Sequence, residues 1–161
     1  MGGNKMKPAI LGMAALFAAT TALSAAEVAP GDVVFDDGAV AMSITGVAGD
    51  PVNGRMVVSS KKHGNCVACH SNDEMPDVAF QGNIGPNLAG VADRYTEAQI
   101  RGILVNADVT FEDSFMPSFY RVDGFVRPGK RYTGKAADDT FGPLLAAQEV
   151  EDVLAYLLTL K

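Results

Sequence analysis

Both cysteines of this 161-residue chain lie in one run of five residues, Cys66-Val67-Ala68-Cys69-His70. Two thiols three positions apart can form thioether bonds with the two vinyl groups of one porphyrin, and the adjacent histidine then places its imidazole beneath the iron. No other feature constrains the fold as strongly. The run predicts one covalent haem c on Cys66 and Cys69, with His70 as an axial iron ligand.

Three other roles for the two cysteines fit the sequence less well. A pair of cysteines in an exported protein usually forms a disulfide, but if both thiols bind haem none remains for a bridge or for sulfur chemistry. A thioredoxin-like redox pair needs a C-x-x-C beside a strand of a βαβ unit, and no such pattern is present. A zinc site needs four ligands, and the only other histidine is His63.

The first 26 residues have the pattern of an export signal. Lys5 and Lys7 precede an apolar run from Ala9 to about Leu23, and Ser24-Ala25-Ala26 offers small residues for cleavage. The run is shorter than the roughly 20 apolar residues of a membrane span. We therefore expect removal of residues 1–26, a periplasmic location, where haem attachment of this kind takes place, and no membrane attachment afterwards.

The charge of the chain indicates which kinds of molecule it is suited to bind. A net charge of −6 disfavours nucleic acid and anionic membranes, and it suits electrostatic steering toward a basic partner. Five basic residues are nevertheless concentrated in a Gly- and Pro-containing insertion over residues 121–143: Arg121, Arg127, Lys130, Arg131 and Lys135. This insertion is either a docking surface or a solvated loop whose charge the nearby aspartates offset, and the sequence leaves both interpretations open.

Helix and loop signals predict an all-α fold. Asp50 and Pro51 are suited to begin a helix that runs to about Lys62, with Met56 on its inner face and Gly64 after its end. Residues 27–50 show little helical periodicity and are interpreted as an N-terminal extension to a domain over residues 51–161.

Two further helices follow the motif. Thr96 and Gln99 form a capping box, which predicts a helix that ends near Asn106. Apolar residues at helical spacing then predict a C-terminal helix, with an apolar face of Val150, Val153, Leu154 and Leu157. Acidic residues stand in its first turns, where the helix dipole favours them: Glu149, Glu151 and Asp152. The helix has alanine where a capping residue would serve.

The sixth iron ligand is predicted to be Met116. It lies 46 residues after His70 in an aromatic-flanked loop, and Pro117 stiffens the approach of its thioether to the far face of the ring. Met75 follows His70 too closely to cross the ring, and His63 lies on the same side as His70. Ligation by His and Met raises the reduction potential and leaves no open coordination position, so the haem is expected to relay electrons.

The order of these features resembles that of class I cytochromes c: the motif, then Gly85-Pro86-Asn87-Leu88, then a Met-Pro pair, then an amphipathic C-terminal helix. The resemblance implies the class I cytochrome c fold. It also implies that the carbonyl of Pro86 accepts a hydrogen bond from the ligating His70.

A narrower resemblance, to the SoxX family, covers nearly the whole chain after residue 26. SoxX proteins are the monohaem subunits of SoxAX complexes in bacterial thiosulfate oxidation. The resemblance implies a SoxA-like partner whose catalytic haem joins thiosulfate to a carrier-protein cysteine, an L-cysteine S-thiosulfotransferase reaction. It rests on Phe35-Asp36-Asp37-Gly38, Ser43-Ile44-Thr45-Gly46, Gly49-Asp50-Pro51, Gly64-Asn65-Cys66, Met116-Pro117-Ser118-Phe119-Tyr120 and the 149–157 helix.

The expected role of this chain is to accept the released electrons and pass them to a soluble acceptor, without catalysis of its own. A free periplasmic electron shuttle is the alternative, and it shares every haem residue. A gas-binding haem sensor is a third interpretation, which requires Met116 to be dispensable. The extension and the insertion favour the complex, because a shuttle has little need of them.

Overall fold

The computed structural model describes residues 1, 26–129 and 134–161. The expected signal segment therefore lies almost entirely outside the described residues, as do Lys130 and Arg131. The α-helices described are α1 (Pro51–Ser59), α2 (Val91–Arg94), α3 (Glu97–Thr110) and α4 (Ala147–Leu157), with 3-10 turns at Pro30–Asp32 and Cys66–Ala68. Within the described ranges the only β pairing is two isolated bridges, which confirms the predicted all-α class. No helix there is long and apolar enough to cross a bilayer.

Helices α1 and α4 cross at Gly54. The Asp50 carboxylate accepts the N–H of Val52 at 2.8 Å and begins α1, as the sequence predicted. Where the two helices meet, a Cβ atom on Gly54 would overlap the carbonyl oxygen of Asp152 and lie 2.9 Å from Cβ of Tyr156. Only glycine allows the two backbones to approach this closely, so this crossing sets the position of α1, and of the motif that follows it, on α4.

Replacing Gly54 with alanine is expected to lower the free energy of unfolding by about 1–3 kcal/mol, because the added methyl group forces the two helices apart. Urea unfolding followed by circular dichroism measures the loss. Gly142→Ala is the matched control: no atom lies within 4 Å of a Cβ built there, and a surface change of this kind shifts stability by roughly 0.5 kcal/mol at most. Equal losses in the two variants would contradict the close crossing.

Helix α1 differs from its prediction in length and in orientation. It ends at Ser59 rather than near Lys62, since the Ser59 hydroxyl donates to the carbonyls of Arg55 (3.1 Å) and Met56 (3.2 Å) and the next residue is extended. The prediction that Met56 faces inward was wrong: Met56 is 52% exposed. Val57 and Val58 are buried instead, because they lie three and four positions after Gly54, on the face that meets α4.

Helix α3 begins as predicted and ends later than predicted. The Thr96 hydroxyl accepts the N–H of Gln99, and the Gln99 side chain accepts the N–H of Thr96 at 2.9 Å, which completes the capping box. The backbone does leave helical geometry at Asn106 (φ −155°, ψ 96°), but the helix then resumes and continues to Thr110. The short helix α2, after Gly90 with its positive φ, was not predicted.

A buried ion pair joins α3, α4 and the segment before α1. The side chains of Arg101 and Glu151 are each 4% exposed, and Arg101 Nε lies 3.1 Å from Glu151 Oε1. The same carboxylate accepts the N–H of Ile44 at 2.7 Å, while Arg101 donates to the carbonyl of Val40 at 3.0 Å. Since both partners also bond the backbone of residues 40–44, the pair holds this segment against the helices.

Tyr120 holds the beginning of the same segment. Its hydroxyl donates to the carbonyl of Val28 at 2.8 Å and to the Glu27 carboxylate at 3.0 Å. Burial, followed by the hydrogen bond with Glu27, raises the pKa of Tyr120 to about 12. The hydroxyl therefore stays protonated and keeps donating at neutral pH.

Asp152 accepts three hydrogen bonds where α1 meets α4. They come from the N–H of Asp50 (2.8 Å), the amide of Asn53 (2.6 Å) and the amide of Gln148 (2.9 Å). Burial alone raises the pKa of Asp152, but these hydrogen bonds outweigh burial and hold the pKa below its ordinary 3.8. The charged carboxylate is therefore favoured in the folded protein.

The contribution of Asp152 to stability should disappear in acid. A carboxylate whose pKa is lowered by folding stabilises the protein above its unfolded pKa, and that contribution is lost as the pH falls through the folded pKa. Asp152→Asn should unfold more easily at pH 6 and lose less stability than the parent between about pH 5 and pH 2. Unfolding free energies measured across this range would contradict the assignment if the two curves ran parallel.

Arg121, one of the five basic residues in the insertion, is engaged within the fold. Its guanidinium lies 3.7 Å from Asp108 and 3.5 Å from Asp123, and it stacks over the ring of Phe125 with 5.1 Å between its Cζ and the ring centroid. The Arg127 side chain donates to the carbonyl of Gly134 at 2.6 Å. Nearby acidic side chains therefore compensate the charge of Arg121. A docking role for the insertion stays a prediction.

Candidate haem site

The cysteine motif folds as a tight turn. Asn65 has left-handed backbone geometry (φ 47°, ψ 36°) and starts the 3-10 turn Cys66–Ala68. The carbonyl of Cys66 accepts the N–H of Cys69 at 3.1 Å and the N–H of His70 at 2.9 Å. Val67 is 5% exposed and anchors the turn in the core, while both cysteines are free and neither residue is fully buried. The turn thus keeps the two thiols and the imidazole close together.

The loop after the motif pairs with it through three backbone hydrogen bonds. The N–H groups of Gly82, Gly85 and Leu88 donate to the carbonyls of Val67, Cys69 and Ser71, each at 2.8 Å. The loop therefore runs alongside the motif in a fixed register, and this register determines which of its carbonyls meets the histidine.

That carbonyl belongs to Pro86. His70 Nδ1 lies 2.7 Å from the Pro86 oxygen and donates to it, which leaves Nε2 as the nitrogen available to a metal. Gly85 packs flat against the imidazole, and a Cβ there would overlap the ring. The structure thus brings His70 and Pro86 together in the arrangement that the resemblance implied, and the ring is held on one edge and one face.

Arg94 stiffens the same loop and was missed by the sequence analysis. Its guanidinium donates to the carbonyls of Ala89 at 2.6 Å and Asn87 at 2.7 Å, and the Asn87 amide donates to Asp73 at 3.0 Å. In the sequence, Arg94 simply precedes the capping box of α3, and nothing around it indicates that it binds the carbonyls of this loop. Only the fold, which turns α2 back over the loop, reveals it.

Met116 lies on a separate segment, which is bonded to α3. Its N–H donates to the Ser114 hydroxyl at 3.2 Å, and its side chain is half-buried and packs against the core. Three other methionines differ from it: Met75 is fully buried, and Met42 and Met56 are 78% and 52% exposed. Met116 alone of these four is half-buried, between the interior and the surface.

His63 lies on the surface, with 41% of its side chain exposed. Its Nδ1 is 2.6 Å from the Glu149 carboxylate at the first turn of α4. The other Glu149 oxygen accepts the N–H of Ala146 at 2.9 Å, which supplies part of the cap that the alanine side chain cannot provide. His63 therefore links the approach to the motif with α4.

The residues at the site fit a haem. Free thiols, an oriented imidazole and a thioether are the donor set that a c-type haem uses. Three large apolar side chains close in sequence to these donors are exposed: Phe80 at 100%, Ile84 at 76% and Phe115 at 97%. Such exposure of apolar side chains is unfavourable in water, and a flat apolar ring would cover them.

Burial raises the pKa of the Cys66 thiol to about 11, so a free thiol there is a poor nucleophile at neutral pH.

Comparison with known proteins relates the chain to cytochromes c. The family model described as cytochrome c matches residues 52–161. Among solved structures, the chain is similar to one in the crystal structure of SoxXA from P. pantotrophus. The two are 53% identical over 84% of this chain and 98% of that chain, with a TM-score of 0.80. A search of curated proteins gave no significant match.

The resemblance noted in the sequence therefore extends to the fold, since more than half of the aligned residues are identical over nearly the full length of the solved chain. A cytochrome c domain also implies covalent haem c, which the paired thiols of the motif suit. The chain belongs to the cytochrome c family and, within it, to the SoxX proteins, and it carries haem c.

Proposed function

We propose that this chain is the monohaem electron-transfer subunit of a periplasmic thiosulfate-oxidising complex. The observation that carries the proposal is the His70–Pro86 contact of 2.7 Å. It leaves the other imidazole nitrogen available to bind iron, and Met116 would supply a thioether from a separate segment. If both donors held the haem iron, no coordination position would be open to a substrate, and the transfer of electrons would be the chemistry that remains.

The proposed site uses four side chains and one carbonyl. Cys66 and Cys69 would hold haem c through thioether bonds, His70 Nε2 and the Met116 sulfur would ligate the iron, and the Pro86 carbonyl fixes the imidazole. Bound in this way, haem c supplies a one-electron redox centre. The Pro86 hydrogen bond increases the electron density of the imidazole, and the soft thioether favours ferrous iron, which raises the reduction potential.

The proposed partner is a SoxA-like cytochrome subunit. The name SoxXA denotes a complex of two proteins, and the alignment with this chain covers 98% of the SoxXA chain from P. pantotrophus. In the proposed reaction, the partner joins thiosulfate to a cysteine thiol of a carrier protein and releases two electrons. This chain accepts them one at a time and passes them to a soluble acceptor. It is thus a subunit of an L-cysteine S-thiosulfotransferase and offers no thiol of its own.

The division of the chain follows the same proposal. Residues 1–26 are removed on export to the periplasm, residues 27–50 form an extension, and residues 51–161 form the cytochrome c domain. In support, the extension is bonded to α3 and α4 through Glu151 and Arg101. A free electron shuttle would need no such additional segment, and the similarity to a SoxXA chain also favours the complex.

Affinity purification tests the proposal. The full chain with a C-terminal tag is produced in the periplasm of its native host and recovered under mild conditions. The expected result is a second c-type cytochrome in equal amount, detected by haem staining and identified by mass spectrometry. An unrelated tagged periplasmic cytochrome serves as the control. Recovery of the tagged chain alone, fully loaded with haem, would favour the free shuttle instead.

A further inference from the structure

Helix α3 is interrupted next to the segment that carries Met116. Asn106 has extended backbone geometry inside the helix (φ −155°, ψ 96°). Such a residue disrupts the hydrogen bonds that would span it, which makes carbonyls available to groups outside the helix. The carbonyls of Leu104 and Val105 accept the N–H groups of Phe119 at 3.1 Å and Tyr120 at 3.2 Å. The break in α3 is therefore where the chain after Met116 attaches.

A side-chain hydrogen bond reinforces this attachment. The Ser118 hydroxyl donates to Asn106 Oδ1 at 2.7 Å, and Ser118 is only 8% exposed. Ser118 is two residues from Met116, with Pro117 between them, and proline fixes its own φ angle. A shift of Ser118 is thus transmitted to Met116 through a stiff residue. On its other side, the carbonyl of Phe119 accepts the N–H of Leu145 at 3.0 Å, which ties the segment to the approach to α4.

We propose that Asn106 and Ser118 are positioning residues that hold Met116 in place as the distal iron ligand. This inference rests on the ligand assignment of the proposed function. A thioether is a weak ligand, so the fraction of molecules in which it has left the iron depends on how firmly its segment is held. The hydrogen bond between Asn106 and Ser118 limits that fraction by fixing the segment to the break in α3.

Imidazole measures that fraction, because it binds ferric haem only when Met116 has left. Its apparent affinity is proportional to the population of the ligand-free state. Loss of a buried hydrogen bond raises such a population by about tenfold. We expect Asn106→Ala and Ser118→Ala each to bind imidazole about tenfold more tightly than the parent in the haem-loaded full chain, as followed by the Soret band. The double variant should match either single variant.

Two further variants separate positioning from general stability. Asn106→Asp keeps an oxygen that accepts the Ser118 hydroxyl and should restore the parental affinity. Thr110→Val removes a hydroxyl on the same helix that donates to the carbonyl of Gly38 at 3.3 Å, a contact that does not involve the Met116 segment. It should leave the imidazole affinity within about twofold of the parent, a change of less than about 0.5 kcal/mol.

Met116→Ala distinguishes two of the three ways in which the inference can fail. If it binds imidazole far more tightly than the parent while Asn106→Ala and Ser118→Ala do not, Met116 is the ligand and the positioning role is overturned. If Met116→Ala itself matches the parent, the ligand assignment fails and the inference fails with it. An increase for Thr110→Val as large as that for Asn106→Ala would show that loss of stability, rather than positioning, releases the ligand.

Discussion

Replacing Met116 with alanine is expected to lower the reduction potential of the protein by on the order of 0.1 V, within the roughly 0.8 V range over which axial ligands set haem potentials. The sulfur of methionine stabilises ferrous iron, and alanine offers no ligand in its place. The far-red absorption band that arises from iron bonded to a methionine sulfur should disappear as well. Potentiometric titration of the purified, haem-loaded protein measures the shift.

Met75→Leu is the matched control for this change. Met75 is fully buried, and exchanging it for leucine conserves its volume, so stability should fall by less than about 1.5 kcal/mol. The potential and the far-red band should stay at their parental values. An unchanged potential in Met116→Ala would contradict the proposed ligand and would favour a haem with an open position, as in a gas-binding sensor.

Replacing Arg101 with alanine is expected to lower the free energy of unfolding by about 3–5 kcal/mol, because it leaves the carboxylate of Glu151 buried without its charged partner. The side chains of Arg101 and Glu151 are each 4% exposed and form a bidentate contact, with Nε of the arginine 3.1 Å from Oε1 of the glutamate and Nη2 3.3 Å from Oε2. Urea unfolding of the haem-loaded protein measures this loss.

Arg55→Ala provides the comparison. Arg55 also forms an ion pair, at 2.5 Å from Asp77, but the two side chains are 39% and 63% exposed. Exposed pairs contribute about 0–1 kcal/mol, so this variant should be close to the parent. Equal losses in the two variants would show that the pair between α3 and α4 is not buried in solution.

Replacing both residues of the Arg101–Glu151 pair with apolar residues should not restore the full stability of the protein. Changing Arg101 to Met and Glu151 to Leu together removes both charges, which is often tolerated. Here, however, Glu151 also accepts the N–H of Ile44 at 2.7 Å. Without the carboxylate this buried donor loses its partner, at a cost of about 1–3 kcal/mol. The double variant should recover only part of the loss and should loosen the segment before α1.

Local features of the site were predictable because their signals lie close together in the sequence. The spacing of Cys66, Cys69 and His70 predicted the haem, and the family resemblance identified Pro86 as the partner of His70, which the structure places 2.7 Å away. The capping box of Thr96 and Gln99 predicted the start of α3. Each of these depends on residues a few positions apart, or on a motif with a known order.

Long-range contacts were not predictable in the same way. The sequence indicated only that acidic residues stand in the first turns of α4, yet Glu151 pairs with a residue 50 positions earlier, and Asp152 accepts from Asp50, 102 positions earlier. The orientation of α1 depended on the close approach at Gly54, and Met56 was therefore assigned to the wrong face. Helical periodicity defines a face but does not say which partner that face will meet.

The break in α3 was not predicted, because the sequence indicated only the end of a helix. Asparagine has a poor helix propensity, and the sequence placed the end of the helix near Asn106. In the structure, the hydrogen bonds from Ser118, Phe119 and Tyr120 compensate for the break, so the helix can resume beyond it. These bonds come from the chain after Met116, and no local pattern around Asn106 indicates them.

Mass spectrometry of the protein purified from its native host tests the central claim most directly. The expected intact mass includes one haem, and a single haem-bearing peptide should contain Cys66, Cys69 and His70. The pyridine haemochrome spectrum should show two thioether bonds, and Cys66→Ala should reduce them to one. A protein without covalent haem, or one whose Cys66 and Cys69 are joined as a disulfide, would contradict the account.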